Sequence, residues 1–166
     1  MKIDKRRRRE NKTDYGKRIK LLKGGVPRIV FRKSNKYIIA QYVTSKQAQD
    51  KIEFGVNSKD LISHGWPKEN QGSLKSIPAA YLTGFLMGKK ITEKALENPI
   101  IDFGMNRMLY KTKTYAFLKG VIDSGIKIDS KEEIFPEQER IQGKHMKKDF
   151  SSIFEQIKSS IEKNGK

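Results

Sequence analysis

The chain has no cysteine, one tryptophan, two histidines and about half as many acidic as basic residues, 19 Asp and Glu against 36 Lys and Arg. Without cysteine there is neither a disulfide framework nor a thiolate metal site, which suits a cytosolic setting. His64 and His145 stand alone, without ligand-like spacing to each other, so no metal centre is expected. Long apolar runs are missing too. The longest apolar stretch, 77–91, is broken by Thr83, Gly84, Gly88, Lys89 and Lys90 and is too short and polar to span a bilayer. The charged first residues have no apolar run behind them, which predicts no secretory leader. No glycine-rich phosphate loop occurs: Gly24-Gly25 precedes a strand, and Gly88-Lys89 lacks the upstream glycine. No nucleophile-elbow motif occurs either, so no cofactor and no catalytic residue is expected.

What the chain does have is positive charge. Its formal charge is +17 and its pI about 10.0, a self-repulsion that calls for a polyanionic partner. The distribution is uneven. Residues 1–37 hold fifteen Lys and Arg against three Asp and Glu, whereas residues 129–166 hold eight of each. At 166 residues the sequence suits one domain with a tail. We divide it into a basic arm and short helix (1–25), an α/β core (26–128), and an acidic connector with an amphipathic last helix (129–166).

The stretch 26–43 reads as two β-strands joined by a tight turn at Ser34-Asn35. Pairing Arg32 with Tyr37 puts Val30 opposite Ile39 and Arg28 opposite Gln41. Since side chains alternate along a strand, Ile29, Phe31, Ile38, Ala40 and Tyr42 form a core face. The other face carries Arg28, Arg32, Tyr37 and Gln41, offering cations, a stacking ring and an amide. Solvated strand faces often carry arginine merely for solubility; here the flanking segments favour a nucleic-acid surface. Ahead of the hairpin, Lys2 to Lys12 is a basic arm centred on Arg6, Arg7, Arg8 and Arg9, expected to be disordered until phosphates order it. Thr13 to Lys23 predicts a short helix capped by Thr13 or Asn11, with Tyr15, Ile19 and Leu22 on one stripe and Lys17, Arg18, Lys20 and Lys23 around it.

Beyond the hairpin, Thr44 to Gln49 reads as a polar connection. Asp50 to Val56 reads as a third strand with Ile52, Phe54 and Val56 facing one way. Ser58 to His64 predicts a short helix and Trp66 an anchor for the following loop. Ile77 to Ile91 predicts a buried helix whose Gly84 and Gly88 let it approach a sheet closely. A short strand at 99–104 and a helix over Thr114 to Ser124 imply a crossover with a parallel strand pair. The fold class is therefore α/β with a mixed sheet, an antiparallel meander plus a crossover unit. From Asp149 a helix returns, with Phe150, Ile153, Phe154, Ile157 and Ile161 in a stripe that needs a surface. Asp102 and Asp123 are the only hint of a nuclease carboxylate pair, and two ordinary surface or capping acids account for them better.

Several of these pieces are familiar together. Arg6-Arg-Arg-Arg-Glu-Asn-Lys-Thr-Asp-Tyr15, Arg18-Ile-Lys-Leu-Leu-Lys23 and Pro27-Arg-Ile-Val-Phe-Arg-Lys-Ser-Asn-Lys-Tyr-Ile-Ile-Ala-Gln41 resemble the large-subunit ribosomal proteins that bind 5S ribosomal RNA, eighteenth in the universal series. Pro78-Ala-Ala-Tyr-Leu-Thr-Gly84, Phe117-Leu-Lys-Gly-Val-Ile-Asp-Ser-Gly125, Glu132-Glu-Ile-Phe-Pro-Glu137 and Arg140-Ile-Gln-Gly143 resemble its archaeal and eukaryotic branch. The resemblance implies a ribonuclease-H-like three-layer shape without the activity, and cytoplasmic residence in the ribosome. It implies contacts with 5S RNA, large-subunit RNA and neighbouring ribosomal proteins, and no membrane. By position it nominates Arg6, Arg7, Arg8, Arg9, Lys12, Tyr15, Arg18, Arg28, Arg32, Ser34, Asn35, Lys36, Tyr37 and Gln41. The surrounding charge adds Lys17, Lys20, Lys23, Lys33, Lys111 and Lys113. Gly16 departs from the family pattern, where a longer side chain is expected. From the residues alone, a general DNA-compacting protein and a metal nuclease are the other readings.

Overall fold

A computed structural model describes residues 3–146 and 149–164; Lys2, the first residue assigned to the arm, lies outside them. Four strands form one sheet in the order β3-β2-β1-β4: β1 (Arg28–Lys33), β2 (Ile38–Lys46), β3 (Gln49–Asn57) and β4 (Ile100–Asp102). The first three strands pair antiparallel, and β4 lies parallel to β1, as the crossover reading requires. Ile29, Phe31, Ile38, Ala40 and Tyr42 are buried to 1% exposure or less, so the predicted core face is the core face.

The register differs by two residues from the expected one: Val30 opposes Gln41, and Arg32 opposes Ile39. The turn sits at Asn35-Lys36, not Ser34-Asn35. Ser34 closes it: its N–H and its hydroxyl both donate to the Tyr37 carbonyl, and its Oγ accepts from the Tyr37 N–H, all at 2.9 Å. A shift of two leaves the paired strand residues on their predicted faces, whereas Tyr37, in the turn ahead of β2, packs toward the core instead of outward. Further along, β2 and β3 run through the stretch expected to be a loop and meet at a two-residue turn, Gln47-Ala48, both at positive φ. A bulge follows, so that Tyr42 opposes Phe54 but Val43 opposes Ile52. The extra residue turns Ile52 away from Phe54 and Val56, which is why Ile52 is 53% exposed instead of joining the core.

Helix α3 (Ile77–Glu93) is capped by the Ser76 side chain at the Ala79 N–H, and Pro78 occupies its first turn. It is apolar all round because it is covered all round. The sheet takes one side. Helix α4 (Lys113–Asp123) takes another, and the last helix, α6 (Ser151–Asn164), a third. The close approach allowed by glycine is to α4, not to the sheet. A Cβ on Gly84 would stand 2.2 Å from the Phe117 carbonyl oxygen, and one on Gly120 would stand 2.1 Å from that of Tyr81. The α6 stripe docks on the chain's own body: Phe150, Phe154, Ile157 and Ile161 are buried, with Phe154 against Tyr81. Trp66 anchors its loop as expected, its indole N–H donating to the Asn70 carbonyl at 3.0 Å and its ring tilted on Phe150 at 4.8 Å. The connector between α4 and α6 holds a short helix, α5 (Gln138–Gln142).

The opposite face of the sheet carries α2 (Tyr15–Lys23), tied down by Arg18 to Asp50 of β3 and by Lys17 Nζ to the Gly104 carbonyl. Its cap is Asp14, which accepts from the Lys17 N–H, in place of Thr13 or Asn11. Three layers result: α2, sheet, and the helices of the core. The arm is not wholly irregular. Arg6–Arg9 form one helical turn, α1, held by the ion pairs Asp4–Arg8 and Arg6–Glu10 at 3.6 and 3.8 Å.

Candidate nucleic-acid interface

Arm, α2 and hairpin meet at a cleft of about 110 Å³. Arg7, Lys12, Lys17, Arg18 and Arg32 line it against only two carboxylates, Asp14 and Asp102. The arm folds back over it because Arg7 Nε donates to Thr13 Oγ1 at 2.9 Å. Arg32 is fixed from below. Its guanidinium donates to the Phe31 and Asp102 carbonyls at 2.7 and 3.1 Å and pairs with Asp102 Oδ2 at 3.2 Å. Gly104, at positive φ, makes room: a Cβ there would lie 2.8 Å from an Arg32 nitrogen. The Arg32 side chain is still 47% exposed, so it is aimed but not used up.

Arg28 is different, and its assignment as a nucleic-acid contact needs correcting. It is 2% exposed, bonded to Ser45 Oγ at 3.0 Å and to Asp50 Oδ1 at 2.7 Å. Alternation put it on the outer face correctly; what alternation does not reveal is that Asp50 and α2 cover that end of the face. Asp50 accepts from Arg28, from Arg18 at 2.8 Å and from Ser45 at 2.6 Å. Burial raises the Asp50 pKa, but those hydrogen bonds and the two arginine charges outweigh it and hold the carboxyl below its ordinary range. Arg28 therefore positions: through Asp50 it orients Arg18 at the cleft.

The other nominated residues divide by place. Arg6, Arg8 and Arg9 are exposed on α1, and Lys12 pairs with Glu10 at 2.8 Å. Tyr15 is half-buried with Lys5 over its ring at 4.8 Å, while Lys20 and Lys23 are exposed on α2. Lys33, Ser34, Asn35 and Lys36 are exposed at the hairpin tip, and Gln41 is half-buried on the sheet. Tyr37 is half-buried against the core, not a free stacking ring. Lys111 and Lys113 line another groove. Sequence reasoning missed Asp50, Ser45 and Gly104; the only signal for them was an isolated acid beside a β-turn and a glycine after a strand. Asp102 and Asp123 are not a pair: Asp102 holds Arg32, and Asp123 accepts from the Tyr81 hydroxyl at 2.7 Å and pairs with Lys119 at 3.3 Å. Among the described residues no three of His, Asp and Glu gather as a metal set, and no helix is long and apolar enough to cross a membrane.

A family model described as ribosomal large-subunit proteins 60S L5 and 50S L18 matches residues 1–99. The large ribosomal subunit protein uL18 of Korarchaeum cryptofilum is 41% identical over 87% of this chain and 72% of its own length. Those of Halobacterium salinarum and Methanoregula boonei are 36% and 39% identical, over 95% and 85% of this chain and 84% and 79% of their own lengths.

Proposed function

The chain belongs to the large-subunit ribosomal family of the L5 and L18 proteins, on its archaeal branch, and from that premise we propose that it binds 5S ribosomal RNA and anchors it in the central protuberance. The family is structural and not enzymatic. Its members are constituents of the large subunit in the cytoplasm, with ribosomal RNA and ribosomal proteins as partners.

The observation that carries the finer reading is the arm cleft: five cations from three elements converge there against two carboxylates. Arginine pairs with phosphate in a fixed fork, so cations held in place by Asp50, Asp102 and Thr13 suit a backbone of defined shape better than a flexible polyanion. Phosphate contacts supply the affinity and its salt dependence; the rigid spacing of Arg18, Arg32 and the hairpin tip selects a folded RNA. Arg6, Arg7, Arg8, Arg9, Lys12, Lys17, Arg18, Lys20, Lys23, Arg32, Lys33, Ser34, Asn35 and Lys36 are the contacts of this reading. Arg28 supports them from beneath.

A competition between a 5S RNA transcript and duplex DNA for the protein at moderate salt tests it. The transcript should win by at least tenfold, and Arg32→Ala should weaken its binding by about 1.5–3 kcal/mol, one charged hydrogen-bonding group lost. Equal affinity for both nucleic acids refutes the proposed selectivity for 5S RNA.

A further inference from the structure

A second groove, of about 590 Å³, shares no lining residue with the arm cleft. Lys33 at the end of β1, Lys75 ahead of α3, Arg107, Lys113 at the start of α4 and Arg140 in α5 all line it, and no carboxylate does. The nearby Lys111 is engaged with Glu137 at 3.2 Å. The other five side chains make no ion pair or hydrogen bond among the described residues. Three of them crowd together: burial, then the charges of Lys75 and Lys33, push the Lys113 pKa down. Five unneutralised cations from five segments of chain are a standing repulsion that an anion would relieve.

The same groove carries a flat ring. Tyr110 is 67% exposed, held edge-on against Tyr115 at 5.9 Å, with Leu109 beside it at 47% exposure. The loop bearing them is pinned from behind, where the Lys111 N–H donates to the Ile134 carbonyl at 2.9 Å. A small free anion would use the cations and leave the ring and the volume idle. An acidic peptide would match the charge but has no planar group for the ring. A single strand of nucleic acid has both, a phosphate chain and bases with exposed π-faces.

We propose that this groove takes a short unpaired RNA segment, separate from the RNA held at the arm cleft, with phosphates at Lys75 and Lys113 and a base stacked on Tyr110. The proposal rests on the ribosomal reading for the presence of RNA, and on this geometry for the rest.

The test uses the full chain and a hexauridylate carrying 4-thiouridine, photocrosslinked and mapped by peptide, with 5S transcript binding measured in parallel. The adduct should fall on the peptide that contains Tyr110. Tyr110→Ala should lower that adduct's apparent affinity about tenfold, the effect of losing one stacked base, while Tyr110→Phe preserves it. The double variant Lys75→Gln, Lys113→Gln should lower it as well, with 5S transcript affinity changing less than twofold in every variant. Adducts confined to the arm, indifference to Tyr110→Ala, or displacement of the hexamer from this peptide by hexaglutamate at lower concentration than by unlabelled hexauridylate would each overturn the site. Crosslinking at Tyr110 by a protein that ignores 5S transcript would instead leave the site standing and remove the 5S reading.

Discussion

Replacing Asp50 by alanine would leave the Arg28 guanidinium, 2% exposed, with Ser45 as its remaining side-chain partner. Breaking a buried pair from one side strands a charge. Because the Asp50 side chain is itself 30% exposed, the expected loss is about 2–3 kcal/mol, below the usual range for fully buried pairs. Urea unfolding measures it, and Arg28→Met combined with Asp50→Ala should recover most of the loss. Acid tells the same story. The Asp50 carboxyl titrates lower in the folded chain than its ordinary 3.8, so its contribution is complete above that value and fades as pH falls through the folded pKa. The stability gap between wild type and Asp50→Asn should therefore narrow below about pH 4; a gap constant down to pH 2 would mean the carboxylate is not what holds Arg28. At this scale the sequence told which face Arg28 occupies, through period-two alternation, but not its neighbour, because Asp50 comes to it from another strand.

Among the elements, the α3–α4 contact sets the tightest condition. Gly120→Ala adds a methyl group 2.1 Å from the Tyr81 carbonyl and 2.9 Å from the Phe85 nitrogen, both backbone atoms that cannot swing aside. Better helix propensity returns about 1 kcal/mol, and the forced separation of the helices costs more, for a net loss of about 2 kcal/mol or greater. A lowered urea midpoint with an unchanged slope checks it; unchanged stability would mean the helices sit farther apart than the 2.1 Å approach at Gly120 requires. The elements most legible in the sequence were those with a full period of apolar residues: β1, α3, α4 and the α6 stripe. The glycine pair in α3 announced a close neighbour without naming it, since a missing side chain carries no complementary pattern. The Gln47-Ala48 turn and the bulge beyond it were illegible, for the turn uses left-handed backbone without the glycine or asparagine that usually marks it. The site was partly legible: clustered Arg and Lys show wherever they occur, but the carboxylates that aim them come from β3 and β4.

For the molecule as a whole, a charge of +17 makes affinity for RNA a function of ionic strength. Changing Arg6, Arg7, Arg8 and Arg9 together to glutamine should reduce the slope of log affinity against log salt by about three, and an unaltered slope would mean the arm does not touch the RNA. The fold around that interface is closed at its opposite side by the last helix. Trp66, 2% exposed, lies tilted against Phe150 at the threshold of α6 and is not among the residues that line the arm cleft. Its emission is thus a built-in optical gauge of whether the carboxyl-terminal helix is seated. Phe150→Ala should shift the emission to longer wavelength as water reaches the indole, whereas saturating the wild-type protein with RNA should leave the spectrum where it was.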